Sequence, residues 1–194
     1  KNNGLDTHEK KSSIRIGIIG RPNTGKSTLI NNIIGEKRLV TGVDAGITRD
    51  SIEVLWNYKN YPISIIDTAG LRRKAKVINV LEKDMVNDTL KTIKFSDICV
   101  LLVDASKAID KQDLTIARMI IGEGRGLIIG ANMWDKVIDK NIIKEKIYNQ
   151  LKISLSQIKK ISIIFMSGLQ TQGIENLFDT VLDIKKRLSI RIST

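Results

Sequence analysis

Histidine and cysteine are all but missing from this chain, and aromatic residues are few; each shortage closes off a class of function. The one histidine, His8, sits in a polar leader, so no histidine-based catalytic triad or histidine-rich metal site can be assembled. The one cysteine, Cys99, excludes an internal disulfide and fits a reducing compartment, the cytoplasm. It lies within the apolar run 98–103 and reads as a buried core residue. Aromatics make up 4% of the chain, too few to suggest a platform for stacking bases. No uninterrupted apolar stretch approaches the roughly 18 residues of a membrane span. Residues 1–11 are polar and charged rather than signal-like, and a start at Lys1 instead of Met suggests a piece of a longer protein.

What is present describes a soluble domain. A chain of 194 residues, 42% hydrophobic and 27% charged, can bury one sizeable core. Its net charge of +11 favours an anionic partner, RNA first, over the competing account of a general drift toward Ile, Lys and Asn. Residues 1–13 carry no hydrophobic period and read as a flexible leader or interdomain linker. Short β-branched runs at 14–19, 51–58, 61–67, 98–104, 127–132 and 161–166 read as strands. Helical spacing appears at 27–34, 80–94, 112–121, 142–151 and 174–188. Only Lys59-Asn60 separates the second and third strands, which demands an antiparallel hairpin. Strands alternating with helices predict an α/β fold: a six-stranded, mostly parallel sheet with one antiparallel hairpin strand and helices on both faces. The domain is expected over 14–190, with 191–194 as a tail.

Four loops carry the chemistry. Gly20-Arg21-Pro22-Asn23-Thr24-Gly25-Lys26-Ser27 is a complete G-x-x-x-x-G-K-S phosphate loop between a strand and a helix that continues with Thr28. Its glycines let successive N–H groups face a phosphate, Lys26 reaches the β- and γ-phosphates, and the Ser27 hydroxyl ligates Mg²⁺. Asp67-Thr68-Ala69-Gly70 ends a strand; the carboxylate suits the water shell of Mg²⁺, and Gly70 lets its N–H approach the γ-phosphate. In Asn132-Met133-Trp134-Asp135 the carboxylate can accept from guanine N1–H and the exocyclic amine that adenine lacks at that position. Such pairing contributes roughly 1.5–3 kcal/mol of discrimination. Asn132 is placed to tie this loop to the phosphate loop, and a backbone N–H of Ser167-Gly168-Leu169 can meet guanine O6.

In this fixed order the four loops resemble those of Ras-like P-loop GTPases of the translation-factor-related class. More narrowly, the chain is similar to the second G domain of the Der (EngA) family of bacterial ribosome-assembly GTPases. Besides the phosphate loop, the likeness rests on Gly46-Ile47-Thr48-Arg49-Asp50, on Asp67-Thr68-Ala69-Gly70-Leu71-Arg72-Arg73-Lys74, and on the closing Arg191-Ile192-Ser193-Thr194. It covers the chain from about Ser13 onward. The resemblance implies a GTP/GDP switch in assembly of the large ribosomal subunit. The partners it implies are guanine nucleotide, the ribosome and its RNA, and other domains of the same chain, namely an upstream G domain and a downstream KH-like domain.

It also implies roles. Thr48 matches the switch threonine that ligates Mg²⁺, although Ile47 replaces the usual first Thr of G-T-T-R-D. Leu71 stands where Ras has a catalytic glutamine and cannot orient water. In the family a potassium ion takes over, held partly by the phosphate-loop asparagine, here Asn23, so hydrolysis stimulated by K⁺ is expected. Lys26, Thr48, Gly70 and Asn23 are thus the candidate catalytic residues, and Ser27, Thr48, Asp67 and Asn23 the candidate metal ligands. Met133 replaces the lysine of N-K-x-D, which predicts nucleotide binding weaker by roughly 1–3 kcal/mol. Lys136 is a candidate to compensate. The moving segments would be 38–50 and 71–84, the second carrying Arg72, Arg73, Lys74 and Lys76 as either an RNA-contacting patch or a solvated loop. Met133 and Leu71 also motivate a rival reading, a nucleotide-gated RNA- or protein-binding module with negligible hydrolysis. A related GTPase of tRNA modification or membrane transport fits the Asp67–Lys74 run less well.

Overall fold

A computed structural model of the chain describes residues 13–36, 54–66, 82–107, 109–158 and 160–192. The expected moving segments fall largely outside them, as do the leader and the last two residues.

Six strands form one sheet: β1 (Ile14–Ile19), β2 (Val54–Tyr58), β3 (Tyr61–Ile66), β4 (Ile98–Asp104), β5 (Gly126–Asn132) and β6 (Ser162–Phe165). Their spatial order is β2-β3-β1-β4-β5-β6. All neighbours run parallel except β2 and β3, which pair antiparallel from Val54↔Ile65 to Tyr58↔Tyr61. The hairpin expected from the short gap is therefore present. Lys59 and Asn60 turn it with φ of 48° and 65°, both left-handed, which matches the twist of the flanking strands.

The helices are α1 (Lys26–Glu36), α2 (Glu82–Phe95), α3 (Lys111–Gly122), α4 (Lys140–Ser154) and α5 (Ile174–Ile192). Alternate residues of the central strands divide the core in two. On one face Ile98, Val100 and Leu102 pack with Leu29, Ile30 and Ile33 of α1 and with Leu177, Phe178 and Val181 of α5. On the other, Cys99, Leu101 and Val103 pack with Ile93 of α2, Ala117 and Ile120 of α3, and Ile147 and Leu151 of α4. A strand buried on both sides reads as a near-continuous apolar run, and all seven residues of β4 are buried, the last of them the polar Asp104.

This winding positions the site. From β1 the chain turns to the face of α1, and from β4 to the face of α3, so the carboxyl ends of these neighbouring strands open a crevice. Among the described residues no helix is long and apolar enough to cross a membrane.

Candidate functional site

The loop leaving β1 can only be built with glycine at two places. Gly20 has φ +152°, and a Cβ there would run into the Leu102 carbonyl of β4. Gly25 has φ +89°, and its missing Cβ leaves the space taken by the Asn132 amide. Asn23, between them and exposed, is itself left-handed at φ 64°. The Arg21 carbonyl accepts from Thr24 Oγ1 at 2.9 Å and from Lys26 Nζ at 2.5 Å, which curls the loop around it. Pro22 is exposed on the loop, and Ser27 and Thr28 are exposed on the first turn of α1, where backbone N–H groups lack intrahelical partners.

The base-side loops are bound to this one through Asn132. Buried at the end of β5, it donates from Nδ2 to the Thr24 carbonyl at 2.8 Å and accepts at Oδ1 from the Gly168 N–H at 2.7 Å. One carboxamide thus joins three of the segments singled out in the sequence. A Cβ on Gly168 would come within 3.2 Å of Leu29 Cβ, and Ser167 is fully buried. Leu169 is exposed beside them. Met133 takes a left-handed conformation at φ 62°, and its methyl lies over Gly25. The ammonium of Lys136 stands 4.0 Å from the Met133 sulfur, so the neighbouring cation does turn back toward the substituted position. Asp135 is half-buried in the short 3-10 turn Trp134–Lys136. Trp134 is buried, with its ring against Phe165 at 4.5 Å between centroids and its backbone N–H given to the Met166 carbonyl, so it supports the loop from the core side.

Several supporting residues were not legible as such in the sequence. Asn32 of α1 donates to the Gly168 carbonyl at 2.5 Å and to that of Leu169 at 3.3 Å. Asp104, buried at the end of β4 and level with Asn132, accepts from the N–H and hydroxyl of Ser106. Asp110 and Asp113 cap α3 and also hold Arg21. The one available signal was the Asp110-x-x-Asp113 spacing, which announces a helix start and nothing more. Thr48, Asp67, Thr68, Ala69, Gly70 and Leu71 lie outside the described residues, as do Arg72, Arg73, Lys74 and Lys76.

The arrangement suits a polyphosphate. Two crowded glycines keep side chains out of the loop, and α1 presents its positive end. The Lys26 ammonium donates to the Arg21 carbonyl, an acceptor weaker than an anionic phosphate oxygen.

A model of the 50S ribosome-binding GTPase family matches residues 15–133. The chain belongs to that family. It is similar to GTPase Der of Rickettsia canadensis, 43% identical over 187 residues, and to that of Rickettsia felis, 42% identical. Each alignment covers 95% of this chain and 42% of the relative, so the chain spans less than half the length of the curated relatives it matches. Solved structures agree on the fold. The elongation factor SelB of Methanococcus maripaludis with a GTP analogue superposes with TM-score 0.66 at 20% identity, over 91% of this chain and 35% of that one. Era in complex with MgGDPNP and nucleotides 1506–1542 of 16S ribosomal RNA gives 0.65 at 24% identity, over 88% and 56%.

Proposed function

We propose that this GTPase domain is the nucleotide switch of a factor that assembles the large ribosomal subunit, and that it corresponds to the second G domain of such a factor. The observation that carries the nucleotide chemistry is the Asn132 bridge, which holds phosphate loop and base loops in one rigid piece. The family match and the Der relatives support the cellular role, with the cytoplasm as its compartment.

Lys26 leaves the Arg21 carbonyl for the β- and γ-phosphates, while the loop N–H groups and the α1 terminus surround the β-phosphate. Asp135 accepts from the guanine N1–H and amine, and the Ser167–Leu169 loop offers a backbone N–H to O6. Ser27, with Thr48 and Asp67, would hold Mg²⁺, and Asn23 a potassium ion. When bound, these cations neutralise charge that develops on the γ-phosphate oxygens during in-line attack by water. The basic run Arg72–Lys76 would meet ribosomal RNA or a KH-like domain of the same chain, and an upstream G domain is a further partner.

Steady-state phosphate release from GTP, in K⁺ and in Na⁺ buffers with Mg²⁺, tests the reading, with ATP as control. Release from GTP alone, faster in K⁺, is expected. Tight GTP binding without release in either salt would overturn intrinsic catalysis, and equal rates in the two salts would remove the potassium site from Asn23.

A further inference from the structure

Arg21 belongs to the phosphate loop by sequence, yet its side chain points to α3. Its Nε donates to Asp113 Oδ1 at 2.9 Å and its NH1 to Asp110 Oδ2 at 3.0 Å. The guanidinium is 22% exposed, and the Asp113 side chain is wholly buried. Each carboxylate divides its two oxygens in the same way. Asp113 Oδ2 accepts the N–H of Asp110, and Asp110 Oδ1 accepts the N–H of Gln112, which caps α3; the remaining oxygen of each goes to Arg21. The hydrogen bond to Asp113 is also the main reason that the Arg21 guanidinium is held above its ordinary pKa. Because two carboxylates already face it, this cation has little charge to offer a phosphate. Its main chain does the other half of the work, since the same residue's carbonyl gathers Thr24 and Lys26.

We propose that Arg21 is a positioning residue: through it, the paired carboxylates of α3 hold the phosphate loop in its binding-ready curl before any nucleotide arrives. The reading rests on the nucleotide site described above. A flexible loop would have to be ordered at the moment of binding, and a strut fixed to a buried cap removes that cost. The requirement is for a planar fork. A lysine presents one ammonium and cannot span both acceptors. An asparagine at 113 has a single acceptor oxygen, so it can keep the helix cap or Arg21 but not both.

The test compares Arg21→Lys, Asp113→Asn and their double variant with the unaltered protein. Dissociation of a fluorescent GDP analogue should be about tenfold faster in each single variant, a loss of one charge-assisted bond. The double variant should dissociate no faster than the faster of the two single variants, because the two residues act as a unit. KM for GTP should rise in each single variant, since an interaction made equally in ground and transition states acts on KM. In nucleotide-free protein, order parameters of the amides of residues 21 and 23–26 should fall toward about 0.6 while those of β4 and β5 stay at ~0.85. Unchanged dissociation with unchanged loop order, or fully additive effects, would overturn the proposal. Should Asp113→Asn not fold, Asp110→Asn removes the half-exposed member of the pair and should give the same pattern at about threefold. An unaltered protein that fails to bind GDP, with variants that still lose loop order, would leave the strut standing and sink the nucleotide reading instead.

Discussion

Asn132 does with one carboxamide what two different side chains could not do at the same place. It donates to Thr24 and accepts from Gly168, both buried, so each of its polar atoms faces a buried backbone group. Asn132→Asp keeps the shape but sets a carboxylate oxygen against the Thr24 carbonyl. The loss should be about 1–3 kcal/mol of stability, the penalty of a buried group left unpaired, read from urea unfolding. An unchanged midpoint would mean that the loops hold together without the bridge. Cys99 offers a second test. Burial in the core pushes its thiol from about 9 up to about 12. Between those values the folded protein keeps a proton that the unfolded chain has lost, so this contribution to stability is complete below pH 9 and drains away as pH rises toward 12. Thiol-specific reagents at pH 8 should leave Cys99 untouched until denaturant is added; rapid labelling of the native protein would show that the core opens readily. The burial of Cys99 could be read from its apolar neighbours, and the tie made by Asn132 from its motif. Asp113 could not be read, because a carboxylate three residues after a cap looks like any capping box, and its bond to Arg21 spans 92 residues of chain.

At the scale of elements, strands were easier to read than helix ends. β4 was visible to the residue because burial on both faces makes it apolar up to Asp104 at its end, and the hairpin followed from a gap too short for anything else. Helices ran past the apolar pattern: α4 continues to Ser154 and α5 to Ile192, since polar residues propagate a helix once its inner face is docked. What no periodicity reveals is how closely two elements approach. α2 lies on β1 so tightly that a Cβ on Gly17 would strike Ser96 Oγ and sit 3.0 Å from Thr92 Cγ2. Ser96 cannot easily swing aside, because its hydroxyl donates to the Thr92 carbonyl at 2.6 Å and the residue is fully buried. Gly17→Ala should therefore destabilise by about 1–3 kcal/mol through overpacking, with an unchanged denaturant slope. A neutral result would show that α2 can shift outward without loss.

For the molecule as a whole, charge is the property left over once fold and nucleotide site are accounted for. Lysine and arginine number 32 against 21 acidic residues, and a nucleotide site needs few of the surplus. Along α4, Lys140, Lys144, Lys146 and Lys152 are exposed, and Glu145 is the only acid within the helix. Lys140 and Lys144 stand 6.0 Å and 5.8 Å from the Trp134 ring, which keeps two of these cations beside the base loop. Such a surface should hold an RNA backbone by counterion release, without reading its sequence. Anisotropy of a labelled single-stranded RNA of arbitrary sequence should show log K falling linearly with log[KCl], by about 0.7 for each phosphate engaged. Lys144→Glu with Lys146→Glu should weaken binding at every salt concentration and flatten that slope, while GTP turnover persists. Binding that ignores salt would point to base stacking, which a chain with 4% aromatics is poorly equipped to provide. No binding even at about 50 mM salt would assign the surplus lysines to compositional drift, because polyanion attraction is strongest there and has nothing else to wait for.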